Sequence, residues 1–507
     1  MAKKIANKLY YCFYFVFTLA FSWLLLNVVF ANRHFSYNPI WVLILAVLWS
    51  AAVYGLYKAA DKASFFLQKR EKLCLCVALA ALAVTELFFY YESATYPVQD
   101  FERVYTGAYN YTIAGIIEDP YLDYFYKFPN NLPITVALQF VFRVVYKLGI
   151  TNFLVVGAIL NFACYAATYF FVYLCCRELL GVQWGFLALG VLYLCVPLHC
   201  YISVFYTDTT TMLFAPLALY LYIKAVKCEK TLMRLATFAA FGIALGFGIQ
   251  IKYSVVIVVV AIFIDMLINR RFKMLGLAAA CAFGGFMLWG AVFSSFIYGH
   301  ILDKNIAPDK ATPMISWVMM GLNGDGTHNA PDNYIIWDKP TKEEKSNEAK
   351  RVLVARLQEY GPLEYIKFLN QKGVRSFGSG NFNAGSIVAG APFRQTFMVE
   401  CYTPGGQYYN IAEHIFEGYH VMLLSFVIIG SAIALKRRKY KCAVPILSIF
   451  GLYLFLLIWE AGQRYLLNYM GMFVIAAVFG VYNYVHAHRP CTSAFDKPIK
   501  LPREGTI

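Results

Sequence analysis

Two carboxylates stand beside a long apolar run, in the segment TYPVQDFERVYTGA that begins at Thr95. Asp100 and Glu102 flank Phe101 there, and charged carboxylates at a bilayer edge are costly enough to mark candidate functional sites. A carboxylate within hydrogen-bond reach of a hydroxyl can remove its proton, which is the chemistry of a general base. We therefore predict that Asp100 is a base, with Glu102 beside it. A solvated loop charge or a helix cap is the alternative for both residues.

Three cations occupy segments suited to holding an anion. Lys127 precedes the amides Asn130 and Asn131 at a predicted helix start, where phosphate binds readily. Lys252 interrupts the apolar stretch GFGIQIKYS, and Arg464 stands in WEAGQRYLLNY between two apolar runs. Since lysine and arginine are the usual phosphate partners in proteins, we predict phosphate contacts for all three. Snorkelling side chains and ordinary interface anchors are the alternatives for the lysines, and helix capping is the alternative for the asparagines.

Further polar and aromatic residues are predicted to support these candidates. Glu460 lies four residues before Arg464 and could hold its guanidinium, although a structural pair that fixes a helical hairpin is the alternative. Asp208, in YTDTTT, is predicted on the same side of the membrane, with a helix N-cap as the alternative. Trp317, in PMISWVMMGLNGDG, is predicted to line a groove for an apolar chain or to dip into the interface, with packing inside its own loop as the alternative.

Composition identifies the class of protein and excludes several functions. Of 507 residues, 60% are hydrophobic and 14% are charged, far from the proportions of a soluble domain. The net charge of +15 sits in short clusters at the ends of apolar runs, as in cytoplasmic membrane loops, which argues against nucleic-acid binding. The 13 cysteines and 8 histidines form no disulfide or zinc framework. Phosphate-binding glycine loops and GxSxG are absent from the sequence, which disfavours nucleotide-driven transport and serine hydrolysis.

Thirteen apolar segments are candidates for membrane spans, because about 20 apolar residues cross the hydrocarbon core. They cover residues 10–31, 38–58, 72–92, 131–148, 152–176, 184–206, 209–226, 233–251, 253–269, 274–298, 418–436, 442–460 and 465–487. Segment 131–148 is short, follows a proline and carries Gln139, Arg143 and Lys147. If it crossed the membrane, the basic loop at 224–234 would lie outside. We therefore predict twelve spans, an interfacial or re-entrant helix at 131–148, and both termini in the cytoplasm.

The predicted fold is an all-α polytopic bundle of about 12 transmembrane helices in the plasma membrane. Its parts are N-terminal transmembrane helices (1–92), an external catalytic loop with interfacial helices (93–150), a transmembrane core (151–298), an external cap of mixed composition (299–417), and C-terminal transmembrane helices with a cytoplasmic tail (418–507). The basic stretch at 436–441 and the tail after His486 are predicted to be cytoplasmic. Asp100, Lys252 and Arg464 are predicted to meet in one pocket at the external face.

The order of these motifs resembles that of the lipid-dependent, multi-span glycosyltransferases of the C-type fold. Within them it is similar to the bacterial protein O-mannosyltransferase and aminoarabinose transferase group, known as family 39. The matching pieces begin near residue 90 and are QDFERVYTGA, YFYKFPNNLP, YTDTTT, GIQIKYS, PMISWVMMGLNGDG and EAGQRYLLNY. The two N-terminal spans have no counterpart in the family's core pattern.

The resemblance implies a polyprenyl-phosphate sugar donor and an inverting transfer to the hydroxyl of a glycan, lipid or protein acceptor at the external face. It implies that Asp100 acts as the base and that Lys127, Lys252 and Arg464 lie where the lipid phosphate binds. The family's adjacent Asp–Glu pair is interrupted here by Phe101, so Glu102 is not carried over directly. No cofactor follows with certainty, and the involvement of a divalent cation stays open.

Two other functions use similar parts. A transporter or flippase for lipid-linked saccharides needs the same cationic groove, although inverted repeats and mid-membrane polar groups would favour it and neither is evident in the sequence. A polymerase or ligase of surface polysaccharide also takes lipid-linked substrates, and it would depend on external arginines more than on Asp100. The sequence identifies neither the sugar nor the acceptor.

Overall fold

The computed structural model describes residues 2–32, 34, 35, 37–440 and 442–487. Every regular element in those ranges is helical, and one isolated bridge pairs Thr95 with Pro392. The predicted all-α class is therefore confirmed. The predicted cytoplasmic tail beyond residue 487 and the predicted basic position Lys441 lie outside the described residues.

The helices follow one another closely along the chain. Up to residue 147 they are α1 (Ala2–Phe30), α2 (Pro39–Lys62), α3 (Ser64–Lys69), α4 (Glu71–Ser93), α5 (Gln99–Ala114), α6 (Tyr121–Lys127) and α7 (Leu132–Lys147). The next are α8 (Phe153–Leu180), α9 (Val182–Tyr193), α10 (Val196–His199), α11 (Thr207–Thr210), α12 (Phe214–Lys227), α13 (Thr231–Ile251), α14 (Val256–Ile268) and α15 (Phe272–His300).

The predicted cap region and the C-terminal region are also helical. The cap contains α16 (Ala307–Lys310), α17 (Ile315–Met320), α18 (Ala330–Trp337), α19 (Lys342–Glu359), α20 (Pro362–Phe377), α21 (Ala384–Val388) and α22 (Phe397–Tyr402). The last helices are α23 (Tyr409–Arg437), α24 (Ala443–Ile458) and α25 (Met470–Ala487). Short 3₁₀ segments lie at Pro129–Asn131, Tyr253–Val255 and Gln463–Tyr469.

Nine helices in the described part of the chain are long and apolar enough to cross a membrane, and three shorter apolar helices accompany them. The long ones are Lys4–Phe30, Pro39–Lys62, Glu71–Ser93, Phe153–Leu180, Thr207–Lys227, Thr231–Ile251, Phe272–His300, Tyr409–Arg437 and Gln463–Ala487, and the shorter ones are Val182–Tyr193, Tyr253–Ile268 and Ala443–Ile458. Each of the twelve predicted spans corresponds to one of these helices.

Helix α7, which the sequence sets apart from the spans, is amphipathic. It buries Leu138 and Phe142, whereas Arg143 and Lys147 are exposed. A helix with one apolar and one polar face suits a membrane interface better than a full crossing. Its position relative to a membrane stays a prediction.

The span predicted at 184–206 is wrong in its second half. Helix α9 ends at Tyr193, because Pro197 lacks the N–H that would bond the Tyr193 carbonyl and its ring would clash with that group. The His199 ring, 3.0 Å away, partners this carbonyl instead. Beyond α10, the amide of Asn161 donates to the carbonyls of Tyr201 and Ile202, both at 3.0 Å. Non-helical backbone among the spans is thereby hydrogen-bonded to buried protein groups, as the membrane setting requires.

Glycines bring α13 and α15 into backbone contact. A Cβ atom on Gly242 would lie 2.0 Å from the carbonyl oxygen of Cys281, and one on Gly285 would lie 1.9 Å from that of Gly242. Such small residues allow membrane helices to approach closely. This packing fixes the direction of α13, whose C-terminal end at Ile251 carries the site described below.

Charged clusters join the helices at the end of the bundle away from Asp208. Glu178 accepts hydrogen bonds from Lys224 at 3.1 Å and from Lys227 at 2.7 Å, at the C-terminal end of α12. Asp265 accepts one from Tyr10 of α1 at 2.5 Å. These clusters adjoin the basic loops that the sequence assigns to the cytoplasm, and that assignment stays a prediction.

We expect Asn161→Leu to lower the thermal stability of the purified protein. The substitution removes the donor that bridges two loop carbonyls, and an unsatisfied buried polar group costs about 1–3 kcal/mol. Asn483→Leu is the control, because among the described residues the Asn483 amide donates to one carbonyl, that of Gly430 within α23. Thermal unfolding in detergent measures both variants, and an equal fall in melting temperature would contradict a special role for Asn161.

Candidate active site

The first carboxylate of the site lies in the first turn of α5. Asp100 and Glu102 both occupy this turn, where the helix dipole favours negative charge. The hydroxyl of Tyr124 donates to Asp100 Oδ1 at 2.9 Å. Glu102 accepts from the hydroxyl of Tyr121 at 2.7 Å and lies 3.2 Å from Arg103 Nε. The two carboxylates therefore have separate partners and are not a proton-sharing pair.

A chain of hydrogen bonds runs from Asp100 into the protein. Asn131 donates to the hydroxyl of Tyr124, and Tyr206 donates to Asn131 Oδ1 at 3.2 Å. Burial and the neighbouring Asp100 carboxylate raise the pKa of Tyr124 well above its usual value, so the phenol stays a donor. The guanidinium of Arg464 lies over the Tyr206 ring, 5.3 Å from its centroid. The acid and this cation are thus joined through two tyrosines and an asparagine.

One buried carboxylate holds the two predicted phosphate-binding cations. Asp208 Oδ1 lies 2.6 Å from Lys252 Nζ, and its Oδ2 lies 3.0 Å from Arg464 Nε. The Asp208 side chain is only 2% exposed, and the two cations are 13% and 19% exposed. Burial lowers the pKa of Lys252, and the Asp208 carboxylate opposes that effect. With two cations to one carboxylate, the triad carries a formal surplus of positive charge.

The partners of Glu460 and Asp208 differ from those suggested by the sequence. Glu460 accepts a hydrogen bond from the hydroxyl of Tyr465, while Arg464 pairs with Asp208 instead. Asp208 is not an N-cap, since Tyr206 occupies that position of α11. The Lys252 ammonium also lies over the Tyr465 ring, 4.8 Å from its centroid. The pairing of Arg464 with its sequence neighbour Glu460 is therefore corrected.

A cavity of about 810 Å³ brings most of the predicted residues together. The predicted residues that line it are Asp100, Glu102, Asn130, Asn131, Lys252, Trp317, Glu460 and Arg464. Other lining residues add aromatic and apolar surface, among them Tyr206, Tyr253, Phe455, Trp459 and Tyr465. Its volume falls within the range of about 300–1,000 Å³ typical of small-molecule sites.

Two predicted residues stand outside that lining. Asp208 lies behind the cations that it pairs with, and Lys127 points elsewhere. The Lys127 ammonium lies 2.7 Å from Asp123 Oδ2 and 4.5 Å from the centroid of the Trp337 ring. These contacts tie α6 to the cap, and the phosphate role of Lys127 stays a prediction.

Trp317 lies against the segment that supplies Arg464. Its ring stacks on that of Trp459, with centroids 5.7 Å apart and planes 7° apart. Both rings line the cavity. They form a flat aromatic wall beside Glu460, at the junction of the cap and the last two apolar helices.

Three tyrosines that organise the site are not among the residues predicted from the sequence. They are Tyr124 in YFYKFPNNLP, Tyr206 in YTDTTT and Tyr465 in EAGQRYLLNY, and each of these motifs contains other predicted residues. With 39 tyrosines in the chain, the residue type alone carries no positional signal.

Among the described residues, no group of three or more His, Cys, Asp or Glu side chains could hold a metal ion.

A family model described as "conserved hypothetical integral membrane protein" matches residues 1–485. The chain belongs to that family. It is therefore an integral membrane protein, in agreement with its apolar helices. Curated proteins give no match. Among solved structures, the chain is similar to the crystal structure of ArnT from Cupriavidus metallidurans bound to undecaprenyl phosphate, with 12% identity, a TM-score of 0.35, and coverage of 81% of this chain and 78% of that one.

We expect Asp208→Asn to destabilise the protein through the two cations that it leaves behind. Removing one partner of a buried ion pair costs about 3–5 kcal/mol, because a buried charge is left uncompensated. The double variant Asp208→Asn, Lys252→Met removes one of those charges and is expected to regain part of the loss. Melting temperatures of the single and double variants test this, and a double variant no more stable than Asp208→Asn would count against the electrostatic account.

Proposed function

We propose that this protein is a membrane glycosyltransferase that moves a sugar from a polyprenyl-phosphate donor to an acceptor hydroxyl at the external face of the membrane. The observation that carries the proposal is the cavity, whose lining includes the Asp100 carboxylate, here called the carboxylate wall, and Lys252 and Arg464, here called the cationic wall. The motif order that resembles the C-type glycosyltransferases agrees with it.

The cationic wall suits the leaving group. Lys252 and Arg464 share the Asp208 carboxylate, so the triad keeps a formal positive charge that can attract a phosphate, while the Glu460 carboxylate also acts on Lys252. As the bond between the sugar and the phosphate oxygen breaks, negative charge grows on the lipid phosphate. Preorganised cations at that position stabilise the transition state more than the ground state.

The carboxylate wall suits the attacking group. Asp100 accepts the proton of the acceptor hydroxyl while the hydroxyl oxygen bonds to the anomeric carbon from the face opposite the phosphate. The hydrogen bond from Tyr124 fixes one carboxylate oxygen, which orients the base. The lipid phosphate then leaves as an anion. Attack from the opposite face inverts the configuration of the sugar.

The aromatic and apolar lining suits the rest of a lipid-linked sugar. Aromatic rings such as Trp317 and Trp459 present flat apolar faces to a bound ligand. Tyr253 and Phe455 come from α13–α14 and α24, helices that belong to the apolar bundle. These apolar residues suit the part of an isoprenoid chain that lies next to the sugar phosphate.

We expect Asp100→Asn to keep the fold and lose turnover by about 10²–10⁴-fold, the usual contribution of a general base. The assay is sugar transfer, or release of polyprenyl phosphate, by purified protein with a panel of polyprenyl-phosphate sugars. Glu102→Gln is the control, since Glu102 bonds Tyr121 and not Tyr124. Full activity of Asp100→Asn would remove this residue from the mechanism, and movement of intact donor across vesicles without bond cleavage would favour a flippase.

We expect Lys252→Met and Arg464→Met each to raise the KM for the donor by about tenfold or more, because a hydrogen bond to a charged group contributes about 1.5–3 kcal/mol. Lys127→Met is the matched control, since that ammonium faces Asp123 and Trp337 rather than the cavity. Donor titrations separate these variants. A rise in KM confined to Lys127→Met would reverse the assignment of the phosphate site.

A further inference from the structure

Helix α20 of the cap is wedged between two apolar helices of the bundle. Asn370 accepts a hydrogen bond from Trp23 Nε1 of α1 at 2.9 Å and donates to Asn27 Oδ1 at 3.1 Å. On the same helix, a Cβ atom at Gly373 would lie 3.2 Å from the ring of Tyr453 in α24. The cap is thus packed against the bundle through α20.

Lys372, which directly precedes Gly373 in α20, is a fully buried lysine. Its ammonium donates to the carbonyl of Gly321 at 2.6 Å, just beyond the end of α17. Its aliphatic stem covers Gly326, where an added Cβ atom would lie 2.9 Å from Lys372 Cδ. Burial lowers the pKa of Lys372 to about 8, and the Glu460 carboxylate opposes that effect. Burying an ammonium group costs free energy, so packing alone does not account for a lysine at this position.

The loop that Lys372 holds, residues 321–326, lies directly on the segment 459–464. The amide of Ala461 donates to the carbonyl of Gly326 at 2.6 Å. A Cβ atom on Gly321 would lie 2.7 Å from the carbonyl oxygen of Trp459, so the two backbones are in close contact. Segment 459–464 carries Glu460 and Arg464 into the cavity.

A second connection reinforces the first. Arg375, also in α20, lies 3.2 Å from Asp325 of the same cap loop, and its carbonyl accepts a hydrogen bond from Gln463 at 2.7 Å. Helix α20 therefore contacts the cap loop through the side chains of Lys372 and Arg375, and it contacts the Arg464 segment through its own backbone carbonyl. The three pieces form one unit around Lys372.

We propose that Lys372 is a positioning residue, which clamps loop 321–326 onto segment 459–464 and so sets where Arg464 meets the donor. Lys372 is not among the residues that line the cavity. The role given to Arg464 rests on the proposed function, whereas the clamp itself does not. Loss of the clamp makes the Arg464 segment more mobile and weakens binding of the anionic end of the donor. The position of Asp100 does not change.

The variant that tests the clamp is Lys372→Met, which keeps the stem over Gly326 and removes the ammonium. Lys345→Met is its matched control. Lys345 is also a buried cap lysine, and its ammonium donates to the carbonyls of Asp309 at 2.6 Å and Lys310 at 3.0 Å, in another part of the cap. Both variants lose a buried ammonium that holds backbone carbonyls, but only Lys372 adjoins the Arg464 segment.

Hydrogen–deuterium exchange with mass spectrometry reads the clamp without substrate. We expect Lys372→Met to speed exchange in the peptide containing Ala461 by about fivefold or more, the equivalent of one lost hydrogen bond. Lys345→Met is expected to speed exchange near residues 307–312 and to leave the Ala461 peptide unchanged. Asp325→Asn, a milder variant that removes the contact with Arg375, is expected to act on the Ala461 peptide in the same direction if Lys372→Met proves hard to purify.

Donor kinetics then connect the clamp to the site. We expect Lys372→Met to raise the donor KM by about fivefold while kcat changes less than about twofold, since Asp100 is untouched. Unchanged exchange of the Ala461 peptide in both Lys372→Met and Asp325→Asn would overturn the clamp. Faster exchange with an unchanged donor KM would overturn its link to Arg464. Absence of transfer by the wild-type protein would instead overturn the proposed function, and the exchange result would stand.

Discussion

The site depends on one buried carboxylate. Asp208 comes from a four-residue helix between two apolar segments, Lys252 from the end of α13, and Arg464 from the 3₁₀ segment before α25. Without a counter-ion, the two cations would repel each other in surroundings that screen charge poorly. Because two cations share this carboxylate, the triad itself keeps a formal positive charge, and the Glu460 carboxylate also acts on Lys252. The same three side chains therefore join separate segments of the chain and supply the charged groups of the site.

Irregular backbone gives the site its shape. Asp208, Lys252 and Arg464 all lie at or beside breaks in helices, as do Asn130 and Asn131. An uninterrupted span would turn side chains around its whole circumference, whereas a break can turn several polar groups toward one point. A break also leaves backbone groups without helical hydrogen-bond partners. Where α9 ends early, the buried side chains of Asn161 and His199 bond the free carbonyls of Ile202 and Tyr193.

The sequence predicts the fold well and the site in part. Apolar length and the placement of basic clusters predict twelve spans and set 131–148 apart, since these features depend on composition that can be read locally. The early end of α9 could have been inferred from Pro197. The ion partners could not: Glu460 is near Arg464 in sequence, yet Asp208, more than two hundred residues away, takes its place. Long-range pairing depends on how helices pack, and one sequence carries little information about that.

The contacts of α1 bear on how the protein is made. Its Tyr10 bonds a residue 255 positions later, and its Trp23 bonds one 347 positions later, in α20. Because both partners follow α1 by more than two hundred residues, these contacts form only after the chain between them has been synthesised. Since α20 carries one of those partners and its Arg375 carbonyl bonds Gln463, segment 459–464 is fixed in place only at the same late stage. Insertion of the early helices therefore precedes formation of the site.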